Sequence, residues 1–167
     1  FGGESHPFWE FLYVDRGSVH VDADQERHTL TQGQLIVHAP GEWHTVICDG
    51  RVAPNLIVMS FHASGPRLED LRKQLFQMDP EGQRLLATMI AEAHRAFADD
   101  LGDYRLSQLT PRDDAAFGSQ QLVKLTLEQL LIHLIRLKDQ PKTAPREAAP
   151  QRPTQARYTV SRCSKPA

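Results

Sequence analysis

Short runs of alternating apolar and polar residues, separated by turn residues, occupy the chain from residue 8 to residue 62. Runs of this length at even spacing, with no helical run between them, indicate antiparallel β-strands in a sandwich or barrel. The turns fall on acidic, glycine and Pro-Gly positions, which favour chain reversal. The predicted strands cover residues 8–14, 18–23, 27–30, 35–38, 44–48 and 55–62.

Past residue 66 the apolar residues recur with a helical period. A short helix is predicted over residues 67–77. Asp79-Pro80-Glu81 then provides a helix start, with Asp as the N-cap and Pro at the first position, for a helix that runs to about residue 98. After an Asp-rich loop, the longest helix is predicted over residues 118–138. The sequence therefore predicts an α+β fold, an antiparallel barrel followed by C-terminal helices.

The longest predicted helix carries a broad apolar stripe whose members recur at steps of four and three residues. A stripe this broad exceeds what one neighbouring element requires. Two interpretations remain open, packing against the barrel alone or packing also against a second copy of the same helix. The residues predicted for a dimer interface are Val123, Leu127, Leu130, Leu134 and Leu137, and Leu131 and Ile135 widen the stripe.

The first predicted strand places an acid and a histidine on one mainly apolar face. Side chains alternate along a strand, so His6, Phe8, Glu10, Leu12 and Val14 share one face. Burying a carboxylate is costly unless a charge, a hydrogen-bond donor or a metal compensates it. We therefore expect Glu10 to have a partner elsewhere in the chain.

A second informative stretch runs from Gly33 through a buried strand and a Pro40-Gly41 turn to His44. This order of turn, strand and turn presents His44 at the mouth of the predicted barrel. His38 alternates with Leu35 and Val37 on the strand, and either a core position or a ligand contact suits it.

Composition and length favour one domain with some additional chain. The chain has 167 residues and 40% apolar content, enough for a core. No stretch approaches the roughly 20 apolar residues that span a bilayer, so no membrane partner is expected. The chain lacks an initiator methionine and a signal-peptide pattern, so we expect it to be a piece of a longer chain. Cys48 and Cys163 fit neither a disulfide framework nor a zinc site, which suggests a cytoplasmic protein.

The net charge of −2 conceals an asymmetry. Residues 1–138 carry 13 Lys and Arg against 19 Asp and Glu, a net charge of −6, whereas residues 139–167 carry 6 against 2, a net charge of +4. An acidic body does not suit a phosphate-binding surface. The Pro-rich basic tail is predicted to be a flexible, disordered linker, with weak nucleic-acid contact as the alternative.

Taken together, the two informative stretches resemble the double motif of the cupins. The second histidine, the acid and the glycine of the first cupin motif match His6, Glu10 and Gly17. The two glycines and the histidine of the second motif match Gly33, Gly41 and His44. The resemblance implies a cupin-like β-barrel, a double-stranded β-helix.

Three positions depart from the cupin pattern. Glu4 stands where the first motif has its first histidine, Ala39 stands at the usual proline and Cys48 at the usual asparagine. Cupins with a catalytic metal usually keep three histidines and one glutamate. The departures therefore imply a site that has lost or changed its metal-binding role.

The order of strands and helices over about residues 4–138 resembles the N-terminal sensing domain of AraC-type transcription regulators. In that family a cupin-like barrel holds a small effector, the following helices mediate dimerisation, and a linker leads to a helix-turn-helix DNA-binding domain. The resemblance implies a barrel over residues 1–66, a helical dimerisation region over 67–138 and a linker over 139–167. DNA would be bound only through a helix-turn-helix domain absent from this sequence.

Two interpretations of the site follow. In the first, a polar pocket without metal or other cofactor binds a small polar effector through its hydroxyl or amine groups. The predicted ligand-binding residues are His6, Phe8, Glu10, Leu12, His38, Trp43 and His44. In the second, His6, Glu10 and His44 hold a transition metal, as in the two-histidine, one-carboxylate sets that favour Fe(II), and Glu4 is a further candidate ligand. Family resemblance favours the first.

The sequence therefore supports an effector-binding, homodimeric regulator module that is not an enzyme and has no catalytic residues. A stand-alone metal-dependent cupin enzyme, an isomerase or dioxygenase, is the alternative, and a cupin that serves only as an oligomerisation scaffold is a third. No serine in a strained glycine turn accompanies the histidines, and no phosphate-cradling glycine loop is present.

Overall fold

A computed structural model describes residues 2–48, 50, 53–103, 106 and 108–140 of the chain. The strands are β1 (Trp9–Arg16), β2 (Ser18–Ala23), β3 (Glu26–Thr31), β4 (Gln34–His38), β5 (His44–Ile47), β6 (Asn55–Phe61) and β7 (Leu75–Gln77). The helices are a 3-10 turn (Leu68–Leu71), α1 (Pro80–Ala96) and α2 (Ser119–Asp139). Residues 141–167, most of the predicted linker, lie outside the described residues.

The strands form two antiparallel sheets. One sheet has the order β6-β1-β4-β7 and the other has the order β3-β2-β5. Apolar residues of the two sheets pack against each other in one cluster, so the sheets lie face to face. Within the described residues no strand pairing joins one sheet to the other. The predicted closed barrel is therefore observed as two facing sheets.

The side chains of strand β1 alternate between two apolar clusters, one on each face of the strand. Trp9, Phe11 and Tyr13 belong to a cluster shared with the helices. Leu12 and Val14 belong to the cluster between the two sheets. The strand is consequently covered on both faces, as its run of buried residues shows, and the predicted division of its side chains between two faces is confirmed.

The connection from β1 to β2 depends on a glycine. Gly17 has a φ of +86°, and a Cβ there would lie 3.2 Å from the backbone of Pro54. Only a residue without a side chain adopts this left-handed conformation at no steric cost. The turn signal read from the sequence therefore corresponds to a steric requirement.

The helix predicted over residues 67–77 is wrong over its second half. Only Leu68–Leu71 form a helical turn, and Leu75–Gln77 form strand β7 on the edge of the four-stranded sheet, paired with β4. Three residues are too few to show a period of two. The pairing partner, which the sequence does not reveal, decided the structure of this segment.

The apolar stripe predicted as a dimer interface is buried within the chain. Val123, Leu127, Leu130 and Leu134 are at most 9% exposed and belong to the cluster that joins α1, α2 and the first sheet, while Leu137 is partly buried against it. The stripe cannot meet a second copy unless α2 leaves this core. The apolar residues that α2 exposes are instead Leu122, Leu125 and Ile132.

The start of α1 is capped as the sequence predicts, and the cap also contacts α2. The carboxylate of Asp79 accepts a hydrogen bond from the Gly82 amide at 2.8 Å. His133 Nε2 donates to the same carboxylate at 2.8 Å. Burial opposes ionisation, but these hydrogen bonds and the nearby imidazole lower the pKa of Asp79 below its ordinary value.

No helix within the described residues is long and apolar enough to cross a membrane.

Truncation of the buried stripe should cost far more stability than truncation of an exposed residue of the same helix. We expect Leu130→Ala to lower the free energy of unfolding by about 2–5 kcal/mol, because it leaves a cavity in the core. Gln120→Ala, at an exposed position of α2, should change it by less than about 0.5 kcal/mol. Urea unfolding followed by circular dichroism measures both, and equal losses would contradict the orientation of α2.

The Asp79 cap should make stability depend on pH in the acid range. Because the pKa of Asp79 is lowered on folding, its contribution is present above its ordinary value of 3.8 and is lost as the pH falls through the folded value. Asp79→Asn keeps the cap without the charge, so its stability difference from wild type should shrink below about pH 4. Asp113→Asn, which removes one carboxylate at an exposed position, is the charge-matched control.

Candidate functional site

The registers of three neighbouring strands bring polar residues together around Glu10. Glu10 of β1 lies opposite His38 of β4 and opposite Ser60 of β6. Residues directly opposite in an antiparallel pair share a face. This is the face that β1 turns toward the second sheet, so the three residues form a polar row beside an otherwise apolar interior.

Three residues contact the carboxylate of Glu10. His44 Nε2 lies 3.2 Å from Oε1, and Ser60 Oγ donates a hydrogen bond of 2.9 Å to Oε2. His6 Nε2 lies 3.5 Å from Oε2. The partner predicted for Glu10 is thus found, since His44 and His6 both reach it.

Charge on Glu10 and His44 is mutually stabilising. Burial raises the pKa of Glu10, but hydrogen bonds from His44 and Ser60 outweigh burial, and the pKa is lowered. Burial likewise opposes protonation of His44, but the hydrogen bond with Glu10 and its charge raise the pKa of His44. Ionisation of Glu10 and protonation of His44 therefore favour each other.

His44 is held by backbone pairing on both sides of its strand. It begins β5, which pairs with β2 so that His44 lies opposite Ala23. On the other side, the amide of Glu4 donates to the carbonyl of His44 and the amide of His44 donates to the carbonyl of Glu4, both at 2.9 Å. The N-terminal segment therefore adds a short bridge next to the histidine.

Backbone carbonyls fix the orientation of two imidazole rings. His6 Nδ1 donates to the carbonyl of Phe8 at 3.0 Å, and His44 Nδ1 donates to the carbonyl of Glu42 at 3.2 Å. A carbonyl oxygen only accepts, so each Nδ1 carries a hydrogen. Both Nε2 atoms are left facing Glu10, and His6 Nε2 is buried without a hydrogen-bond partner among the described residues.

The cluster has the composition and spacing of a metal site. One ligand atom from each of His6, Glu10 and His44 can be chosen so that all three lie within 4.8 Å of one another. The exposed carboxylate of Glu4 comes within 3.9 Å of His44 Nε2. Two imidazoles whose Nδ1 atoms are engaged by carbonyls, together with one carboxylate, suit a divalent transition metal.

The other predicted ligand residues have different positions. Phe8 stacks on the ring of His6, with centroids 3.9 Å apart. Leu12 is 1% exposed within the apolar cluster between the sheets, so it belongs to the apolar interior beside Glu10. His38 is fully buried and its ring stacks on His44 at 4.1 Å. Trp43 is 41% exposed and lies beside Gly3, where a Cβ would overlap the indole.

Trp43 faces a different part of the surface. It lines a shallow depression with residues of the β2–β3 hairpin, including Asp22 and Arg27. A second groove of about 280 Å³ lies nearer the cluster and is lined by Pro7, Phe8, Trp9, Pro40, His62, Ala63 and Ser64. Phe8 therefore connects this groove to His6.

Sequence reasoning missed two residues of the site. Ser60 hydrogen-bonds to Glu10, but its role depends on the pairing of β6 with β1, which no local pattern reveals. Glu42 is buried beside His38, with Nδ1 and Oε1 2.7 Å apart. Its position four residues after His38, across the Pro-Gly turn, was the available signal.

Residues 1–61 match the family model Cupin_2, described as a cupin domain. This N-terminal part of the chain is therefore a cupin domain, as its motifs indicated. No curated protein matches the chain.

Two solved structures show distant similarity. The ribosomal oxygenase YcfD from Escherichia coli is 13% identical, with a TM-score of 0.33, and the match covers 85% of this chain and 36% of that one. HEPD from Streptomyces albus, with 2-hydroxyethylphosphonate and Fe(II) bound, is 14% identical, with a TM-score of 0.31, and the match covers 77% of this chain and 34% of that one. The matched region thus corresponds to about a third of either protein.

Proposed function

We propose that this chain is the effector-sensing and dimerisation part of an AraC-type transcription regulator, with the effector bound at the His6–Glu10–His44 cluster. The observation that carries the proposal is the buried carboxylate of Glu10, which is hydrogen-bonded to His44 and to the exposed Ser60. The cupin domain and the two helices that follow it occur in the order of the resemblance. DNA binding would belong to a domain outside this sequence.

The cluster favours a small effector with hydroxyl or amine groups. Glu10 can accept hydrogen bonds from such groups, and His6 Nε2 has no hydrogen-bond partner in the part of the chain that the structure describes. Val58 lies two residues from Ser60 on the same strand face and is 52% exposed. An effector with a polar end and a small apolar part therefore fits this side of the sandwich.

The segment of residues 67–73 offers a route from the site to the end of α2. The ammonium group of Lys73 lies 2.7 Å from the carboxylate of Asp24. The Asp24 amide donates to the carbonyl of Trp43, the residue before His44, and the Trp43 amide donates to the Asp24 carboxylate. At the other end of the segment, Arg67 makes two hydrogen bonds of 2.8 Å to Asp139. A ligand that binds two arrangements of the turn unequally would thereby shift the position of the last helical turn.

A metal-dependent cupin enzyme is the second candidate, and the convergence of the His6 and His44 Nε2 atoms on Glu10 favours it. These three residues would hold the metal, and three ligands leave positions for a substrate. A metal bound there would act as a Lewis acid toward a substrate oxygen. An isomerase or dioxygenase of a small polar substrate is the activity that this site would suit.

Metal content and ligand response separate the two candidates. We expect protein purified without chelator to contain less than stoichiometric transition metal by elemental analysis, and to gain thermal stability with a subset of small polyols and amines. Binding at 100 times the dissociation constant stabilises a protein by about 2.7 kcal/mol. Stoichiometric metal would overturn the metal-free pocket in favour of the enzyme.

Replacement of Glu10 tests whether the effector binds at this cluster. Glu10→Ala should abolish the ligand-induced rise in melting temperature while circular dichroism remains native, because the acceptor at the centre of the cluster is lost. Glu81→Ala removes an exposed carboxylate on α1 and should leave the response intact. If Glu10→Ala showed the full ligand-induced rise in melting temperature, the effector would have to bind elsewhere on the protein.

The exposed apolar residues of α2 are the proposed dimer contact in place of the buried stripe. Leu125→Glu with Ile132→Glu should convert a dimer to a monomer, measured by light scattering, because buried like charges would oppose association. Gln120→Glu with Lys124→Gln changes the net charge equally on another side of the helix and should leave the dimer intact. An unchanged mass in the first variant would discard this interface.

A further inference from the structure

Glu42 and His38 form a buried pair that neither candidate function uses. Both side chains are inaccessible to solvent, and His38 Nδ1 lies 2.7 Å from Glu42 Oε1. Among the described residues the second oxygen of Glu42 has no hydrogen-bond partner, and Arg72 Nη1 lies 3.8 Å from it. Burial of a carboxylate in this way costs free energy, so apolar side chains would fill this part of the core at a lower cost.

The pair holds His44 from two directions. The ring of His38 lies flat on the ring of His44, with centroids 4.1 Å apart and planes inclined by 6°. The backbone carbonyl of Glu42 accepts the hydrogen on His44 Nδ1. The same two residues therefore contact the face and the edge of the imidazole, while Glu10 engages the remaining nitrogen.

We propose that Glu42 is a positioning residue, which acts through His38 to fix the plane of His44 and to direct its Nε2 at Glu10. The hydrogen bond to Glu42 prevents the His38 ring from turning, so His44 rests on a fixed surface. Glu42 also pins the turn of residues 39–44, because its side chain reaches back to the end of β4. The proposal rests on the proposed site and applies to either an effector or a metal.

An apolar replacement of the pair separates positioning from packing. His38→Leu with Glu42→Met removes the ring and the carboxylate together at similar volume, and replacing both partners of a buried polar pair by well-packed apolar groups is often neutral for stability. We expect near-native melting, but the affinity for Co(II), followed by its visible absorption, should fall about 10- to 100-fold. Glu42→Gln, which keeps an acceptor oxygen for His38, should remain within about threefold of wild type, and Glu81→Gln is the exposed control.

A measurement without metal keeps the test independent of the proposed function. In metal-free wild type, the His44 Nδ1 proton should give a resolved downfield NMR signal, because the Glu42 carbonyl holds it in a buried cluster. The signal should persist in Glu42→Gln and should disappear by exchange with water in the double variant. If wild type binds no Co(II), the metal candidate fails, and this signal still decides the positioning role.

The outcomes are distinct. A folded double variant with unchanged Co(II) affinity and an unchanged His44 signal would overturn the proposal and leave the pair as packing alone. If the double variant does not fold, His38→Gln replaces it in the test, because this variant retains a hydrogen bond to Glu42 but has no ring. It should then show the same loss of the His44 signal, and a retained signal would overturn the proposal equally.

Discussion

The charged hydrogen bond between Glu10 and His44 is the constraint around which the cupin sandwich is arranged. One sheet supplies the carboxylate and the other supplies the imidazole, so the bond links the two layers at their polar end. Burial of either group alone would be costly. Together, and with Ser60 as a third partner, they are compensated.

The rest of the sandwich follows from the alternation of β1. Its odd-numbered residues from Trp9 to Tyr13 pack toward the helices, and its even-numbered residues point between the sheets. Moving along the inner face from Val14 to Glu10, the interior changes from apolar to polar within four residues. The two helices cover the outer face of the same sheet, and the buried stripe of α2 completes that core.

The sequence predicted most of this architecture because its signals are local. Alternation located β1 to β6, the Asp79 cap located α1, and the spacing of the two cupin motifs placed His6, Glu10 and His44 on one site. Signals that depend on partners were missed. Residues 75–77 form strand β7 because they pair with β4, and Ser60 joins the site because β6 pairs with β1. For α2 the sequence revealed the helical period of the apolar stripe but not the element against which the stripe packs.

For His44 the sequence predicts the position of the residue, and the structure adds the contacts that hold its side chain. The second cupin motif predicts its place after the Pro-Gly turn, yet nothing in the motif specifies what holds the ring. The structure gives His44 a stacked imidazole beneath it, a carbonyl on one nitrogen and a carboxylate on the other. A side chain held on three sides has little rotamer freedom left to lose when a ligand binds. Such a histidine is preorganised, and preorganisation is what a sensing pocket and a metal centre would both require of it.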